Sequence, residues 1–298
     1  MGTKIQYALL YTWVKLHALL PMPLLYICSD IFYFLAYRVV GYRKKVVRRN
    51  MAHAFPEKSK SELRQLEKEF YHHFCDYIVE TMKLAHISSE ELLRHAYMRN
   101  PELVDQLVEE GHTCVIFVMG HYGNWEWFSG ISTQFEKARA YNIYRPLTNK
   151  AFDKLLIDLR TRFEARGIKK NDTIREMIRL KQEKTPSVVV FLADQTPSKT
   201  NIHYWTTFLN QDTPMFTGAE RIARKLDLPV VFVDVKKIKR GYYTVDLDLL
   251  TKTPKETPEF WITETYARKL EQSILRHPAY WLWTHKRWKY KRSDFEQK

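Results

Sequence analysis

Only three of the 298 residues are cysteine (Cys28, Cys75 and Cys114), widely separated and without a CxxC pair. That spacing argues against a disulfide framework or a zinc knuckle, suits a reducing compartment, and leaves the thiols a packing role. Negative charge is also in deficit: 34 acidic residues face 48 basic ones, a formal net charge of +14. No internal repeat and no low-complexity linker divides the chain. The G-x-S-x-G elbow of a serine hydrolase and the HExxH of a zinc enzyme are both missing. A mean hydropathy of -0.43 rules out a protein of many membrane spans.

The positive excess favours polyanionic partners: nucleic acid, an anionic membrane surface, phosphorylated substrates or acidic proteins. The basic residues do not form the Lys/Arg-rich arm common in nucleic-acid binders, and no nucleic-acid motif accompanies them, so nucleic acid is not expected as a partner.

The first fifty residues stand apart. Residues 5–40 are crowded with Leu, Tyr, Phe, Ile and Val. The most apolar part, 24–40, has about 17 residues, the lower limit for crossing a bilayer. It runs into Arg38, Arg43, Lys44, Lys45, Arg48 and Arg49, a cluster that stays cytoplasmic under the positive-inside rule. A cleavable signal does not fit, because the basic cluster follows the apolar run instead of preceding it. Asp30 and the aromatics fit a helix lying in the interface or a shallow hairpin, with a true span as the other reading. We therefore expect a membrane-anchoring helical segment over 1–46 and a single catalytic domain over 47–298.

Residues 61–85 read as a helix with Ser61 as its cap. Its adjacent His72 and His73 point to different faces and read as surface or core residues. Beyond 111 the pattern alternates. Strands are expected at 115–119, 140–144, 187–193 and 229–235, with helices at 125–137, 150–165, 217–226 and 258–275. A further strand at 242–250 pairs with the fourth across 239–241. This is an α/β arrangement: a mixed, mostly parallel central sheet flanked by helices.

The stretch Met119-Gly120-His121-Tyr122-Gly123-Asn124-Trp125-Glu126-Trp127 follows the first strand directly. Functional residues gather where strands of such sheets end. On a continuous helix, five residues turn about 500°, so His121 and Glu126 would not share a face. The spacing works with His121 on the loop and Glu126 on the following helix, reaching back to one imidazole nitrogen. The other nitrogen is then free to take a proton. Free N–H groups at the helix start suit an oxyanion. Two ligands are too few for a metal and no serine elbow is present, so a base acting directly on a substrate hydroxyl fits best.

The pattern His-x4-Glu resembles the signature of the glycerolipid and lysophospholipid acyltransferases. Gly120–Trp127 (GHYGNWEW) looks like the bacterial lipid A acyltransferases, the lauroyl and myristoyl transferases of lipopolysaccharide assembly. Nearly the whole chain shares the resemblance: Arg48-Arg49-Asn50-Met51 with Ala54-Phe55-Pro56-Glu57, Tyr144-Arg145-Pro146 with Arg160, Ala193-Asp194-Gln195, and His277-Pro278 with Trp281 to Trp288. It implies a glycerolipid acyltransferase-like fold and transfer of a fatty acyl group from acyl carrier protein to a hydroxyl of a lipid A precursor. The setting it implies is the cytoplasmic face of the inner membrane, among anionic lipids, with no metal and no organic cofactor. It further implies His121 as general base with Glu126 as its partner, and Asn124, Arg145, Asp194 and Gln195 as substrate-binding residues. The C-terminal tryptophans read as packing and interfacial anchors. Alternatives are an acyltransferase acting on another lysophospholipid or glycolipid, a hydrolase using the same base, and a non-catalytic protein binding anionic membrane or nucleic acid.

Overall fold

A computed structural model describes residues 2–295; the outermost residues of the two expected segments, 1 and 296–298, lie outside the described residues. The helices are α1 (Gly2–Ala18), α2 (Met22–Tyr33), α3 (Lys44–Ala54), α4 (Lys60–Lys83), α5 (Ser89–His95), α6 (Glu102–Glu109), α7 (Phe128–Ile131), α8 (Lys150–Thr161), α9 (Thr173–Gln182), α10 (Gly218–Leu226) and α11 (Trp261–Arg276). The strands are β1 (Ala96–Met98), β2 (Cys114–Met119), β3 (Arg139–Tyr144), β4 (Arg166–Lys169), β5 (Ser187–Leu192), β6 (Trp205–Phe208), β7 (Gln211–Pro214), β8 (Val230–Lys239) and β9 (Tyr242–Thr251). Seven strands form one sheet in the order β1-β9-β8-β2-β5-β3-β4, and β6–β7 form a separate hairpin. All neighbours in the large sheet are parallel except the β8–β9 pair. The expected mixed, mostly parallel sheet flanked by helices is thus what the chain builds.

Composition explains the centre. The β2 residues CVIFVM and the β5 residues SVVVFL are apolar on both faces, as strands between two helical layers must be. Val115, Ile116 and Phe117 are fully buried, each contributing about 1.5–3 kcal/mol of burial free energy. The helix over 61–85 appears as α4, but its cap is Ser59. Glu62 stands at the third helical position, where its N–H donates to the Ser59 hydroxyl and its carboxylate accepts the Ser59 N–H, closing a capping box around Ser59.

The helix expected over 125–137 does not form. In its place are a 3-10 turn at Trp125–Trp127, the single turn of α7, and a second 3-10 turn at Ser132–Gln134. The Ser132 and Thr133 hydroxyls donate back to the carbonyls of Ser129 and Gly130, which competes with helix continuation.

At the N-terminus α2 runs into a π-helical stretch, Phe34–Val40. The helix Met22–Val40 is long and apolar enough to cross a membrane, with a mean hydropathy of 1.4. Leu24, Ile27, Ile31, Phe34, Leu35, Val39 and Val40 are exposed. Its opposite face lies on α4 and buries Met22, Leu25 and Tyr37, with the Ser29 hydroxyl donating to Asp76 (2.7 Å) and Tyr26 to Glu80 (3.0 Å). The Lys83 ammonium donates to the carbonyls of Ala18 and Leu20, pinning the α1–α2 turn to the end of α4. Helix α1 also meets α8, with the Tyr7 hydroxyl donating to Asp158 (2.5 Å).

Candidate active site

Strand register creates the site. In the parallel β2–β5 pair, Met119 is opposite Leu192. Two residues further along each chain come His121 and Asp194, so the two strand ends deliver them side by side. Asp194 Oδ1 lies 2.6 Å from His121 Nδ1, while its Oδ2 accepts the His121 backbone N–H (2.9 Å) and the Trp281 indole N–H (2.8 Å). The Asp194 side chain is 3% exposed. Burial alone would raise its pKa, but the attraction of His121 and these hydrogen bonds overcome that and hold it at about 2. An ionised carboxylate only accepts, so Nδ1 of His121 donates to it and Nε2 is the nitrogen left for other partners. The Gln195 amide nitrogen lies 3.3 Å from that Nε2.

This differs from the sequence reading, in which Glu126 supplies the orienting carboxylate. Glu126 is 5% exposed and turns to α8, where Arg160 grips it with two bonds, Nε to Oε2 at 2.7 Å and Nη2 to Oε1 at 2.6 Å. Burial pushes the Glu126 pKa up, and the Arg160 charge and hydrogen bonds outweigh that and lower it. Arg160 is held charged in return. The 3-10 turn after Asn124 leaves Glu126 on the Arg160 side, and no hydrogen bond joins it to His121 among the described residues.

The loop between them is fixed from three directions. Gly123 has φ +63, and a Cβ there would lie 2.7 Å from Val235 Cγ1, so only glycine fits. A Cβ on Gly120 would lie 2.6 Å from Leu270 Cδ1, which lets the chain pass tightly over α11. The C-terminal segment straps the loop from outside, through Gly123 N–H to Tyr280 O (2.9 Å) and Leu282 N–H to His121 O (3.1 Å). Below it lies Glu80, fully buried, which accepts from Asn124 Nδ2 (2.8 Å) and Tyr243 OH (2.9 Å), while its carbonyl accepts from Trp127 Nε1 (2.8 Å). Burial raises the Glu80 pKa.

His121, Glu126, Arg145 and Gln195 all line one cavity of about 470 Å³, at the carboxyl ends of the strands. Asn124 does not line it. Both ends of its amide are spent inside the fold, on Glu80 and on the Trp127 N–H (3.2 Å) that it caps. Asp194 lies behind His121, out of the cavity. Trp281 and Trp283 are 2% and 0% exposed, which removes them as interfacial anchors; Trp281 instead holds Asp194.

Three participants carried no role in the sequence reading. Arg160 sits 34 residues from Glu126, and only its place in the second motif block marked it. His285 accepts the Thr196 N–H through Nε2 (3.2 Å), and its burial lowers its pKa to about 4. Arg287 is 1% exposed and packs near Asp194, donating to Pro214 O (2.7 Å). Its burial lowers its pKa to about 10.

Chemically, the arrangement provides an imidazole on the wall of a cavity, its Nε2 beside the Gln195 amide, backed by an ionised carboxylate able to stabilise the imidazolium once a proton arrives. The sequence model for bacterial lipid A biosynthesis acyltransferases matches residues 3–290, nearly the whole chain. A comparison with curated proteins finds no match.

Proposed function

The chain belongs to the bacterial lipid A biosynthesis acyltransferases, and on that premise we propose that it moves a fatty acyl group from the thioester of acyl carrier protein to a hydroxyl of a lipid A precursor, with His121 as the base. The observation that carries this reading is the setting of His121 in the cavity wall, with Nδ1 held by Asp194 at 2.6 Å and Nε2 beside only the Gln195 amide among the described residues. Nε2 takes the proton of the acceptor hydroxyl as its oxygen attacks the thioester carbonyl. The oxyanion collapses, the carbon–sulfur bond breaks, and the imidazolium returns the proton to the leaving sulfur. Asp194 stabilises the imidazolium through that cycle. The Gln195 amide, beside Nε2, donates to the oxyanion. Glu126 fixes Arg160 in the cavity wall and keeps a negative charge near the imidazolium.

Phe128, Val190, Phe191, Phe216 and Ile222 give the cavity an apolar wall suited to an acyl chain. A net charge of +14 favours encounter with an acidic carrier protein and an anionic leaflet. The exposed apolar face of α2, followed by basic α3, supports a setting on the cytoplasmic face of the inner membrane as part of this proposal. Mass spectrometry of lipid A from cells with and without the gene tests the proposal. A difference of one acyl group supports it; identical lipid A in both would overturn it.

A further inference from the structure

The contacts beneath the His121 loop lead back to the N-terminal helices through one turn of α4. Tyr77 and Glu80 lie three residues apart on that helix, so they share a face. The Tyr77 ring stacks on Trp125 (4.1 Å between centres), and Trp125 meets the His121 ring edge-on (5.1 Å). Glu80 is 0% exposed, and its two oxygens serve different elements. Oε2 accepts from Asn124, the residue whose own amide oxygen caps the turn that carries Glu126. Oε1 accepts the Tyr26 hydroxyl of α2 (3.0 Å). A chain of hydrogen bonds therefore runs from α2 through Tyr26, Glu80 and Asn124 to the loop that holds His121.

The other side of α2 carries Leu24, Ile27 and Ile31, all exposed. Burying that face in a lipid interface restricts the helix, and Tyr26 passes the restriction to a buried carboxylate with no slack of its own. We propose that Glu80 is a positioning residue for the catalytic loop, tied by Tyr26 to α2, so that docking of α2 on a membrane orders the loop around His121. The effect on rate rests on the acyl-transfer reading; the ordering of the loop does not.

The test uses the full-length protein with Tyr26→Phe, Glu80→Gln and, as a control, Ser29→Ala. The control removes an α2–α4 bond, Ser29 to Asp76 (2.7 Å), that does not end on the loop. Hydrogen–deuterium exchange over residues 120–127 is followed with and without vesicles of phosphatidylethanolamine and phosphatidylglycerol. Vesicles slow that exchange about tenfold in the parent and in Ser29→Ala. In Tyr26→Phe, which floats with the vesicles as the parent does, the slowing is lost. Glu80→Gln keeps it, because its one oxygen still accepts from Asn124 and its amide donates to the Tyr26 hydroxyl. On vesicles, Tyr26→Phe transfers acyl groups with kcat lowered about tenfold and KM unchanged, the mark of a misplaced base and not of lost substrate binding. Slowed exchange without any acyl transfer supports the coupling and counts against the reaction alone. No slowing in the parent, equal slowing in Tyr26→Phe, or the same loss in Ser29→Ala would overturn the proposal.

Discussion

His121 and Asp194, 73 positions apart in the chain, meet at 2.6 Å because β2 and β5 are parallel neighbours in register. The contact sets which imidazole nitrogen carries hydrogen and leaves the other one facing the cavity. Glu126, the nearer carboxylate in sequence, is engaged by Arg160. The two carboxylates therefore divide the work: Asp194 orients the His121 imidazole, and Glu126 anchors a guanidinium in the wall.

That division has a cost if the guanidinium is lost. Arg160→Met leaves a carboxylate at 5% exposure without its counter-charge. We expect a stability loss of about 3 kcal/mol, the scale for breaking a buried pair from one side. Pairing it with Glu126→Gln recovers part of that loss. Urea unfolding of the single and double variants measures both effects, and equal stability in parent and Arg160→Met would count against the pair as drawn.

Acid stability should carry the signature of His285. Its folded pKa is about 4 against an ordinary 6.5. Between those values the unfolded chain takes up a proton that the folded chain refuses, so stability falls as pH drops from 6.5 to 4 and is untouched above 6.5. Asp194, at about 2 against 3.8, gives its full contribution above 3.8 and loses it as pH falls toward 2. His285→Gln should flatten the upper slope and leave the lower one. An unchanged slope between pH 6.5 and 4 would contradict the burial argument.

Much of this was readable beforehand, and the failures have physical causes. Apolar runs gave the central strands because β2 and β5 are buried on both faces. The edge strands went unseen: β1 has three residues, and β4 reads RGIK with only Ile168 buried, the short, charged edge that discourages further pairing. The β6–β7 hairpin hid because its turn, Leu209-Asn210, takes positive φ at both residues without a glycine. His121 was legible from its strand-end position. Its partner was not, since spacing along a chain favours the carboxylate five residues away and only sheet register brings Asp194 close.

The N-terminal helices should lie on the membrane, not cross it. Asp30 pairs with Arg240 (2.6 Å) and Ser29 with Asp76 on the inner face of α2, contacts that a transbilayer placement would carry into hydrocarbon. Ile27→Asp with Ile31→Asp removes two exposed anchors, and we expect vesicle binding to weaken by about 3 kcal/mol, roughly a hundredfold. Flotation with anionic vesicles reads this directly. Equal flotation of parent and variant would refute the proposed docking face.

The most direct test of the account is the single-turnover rate of acyl transfer by Asp194→Asn. The amide keeps the shape of the carboxylate but no longer supplies the negative charge that fixes the Nδ1–H form of His121 and stabilises the imidazolium. We predict a fall of about 10³-fold with the protein still folded, close to the loss in His121→Ala. A rate equal to the parent would contradict the claim that Asp194 sets the base.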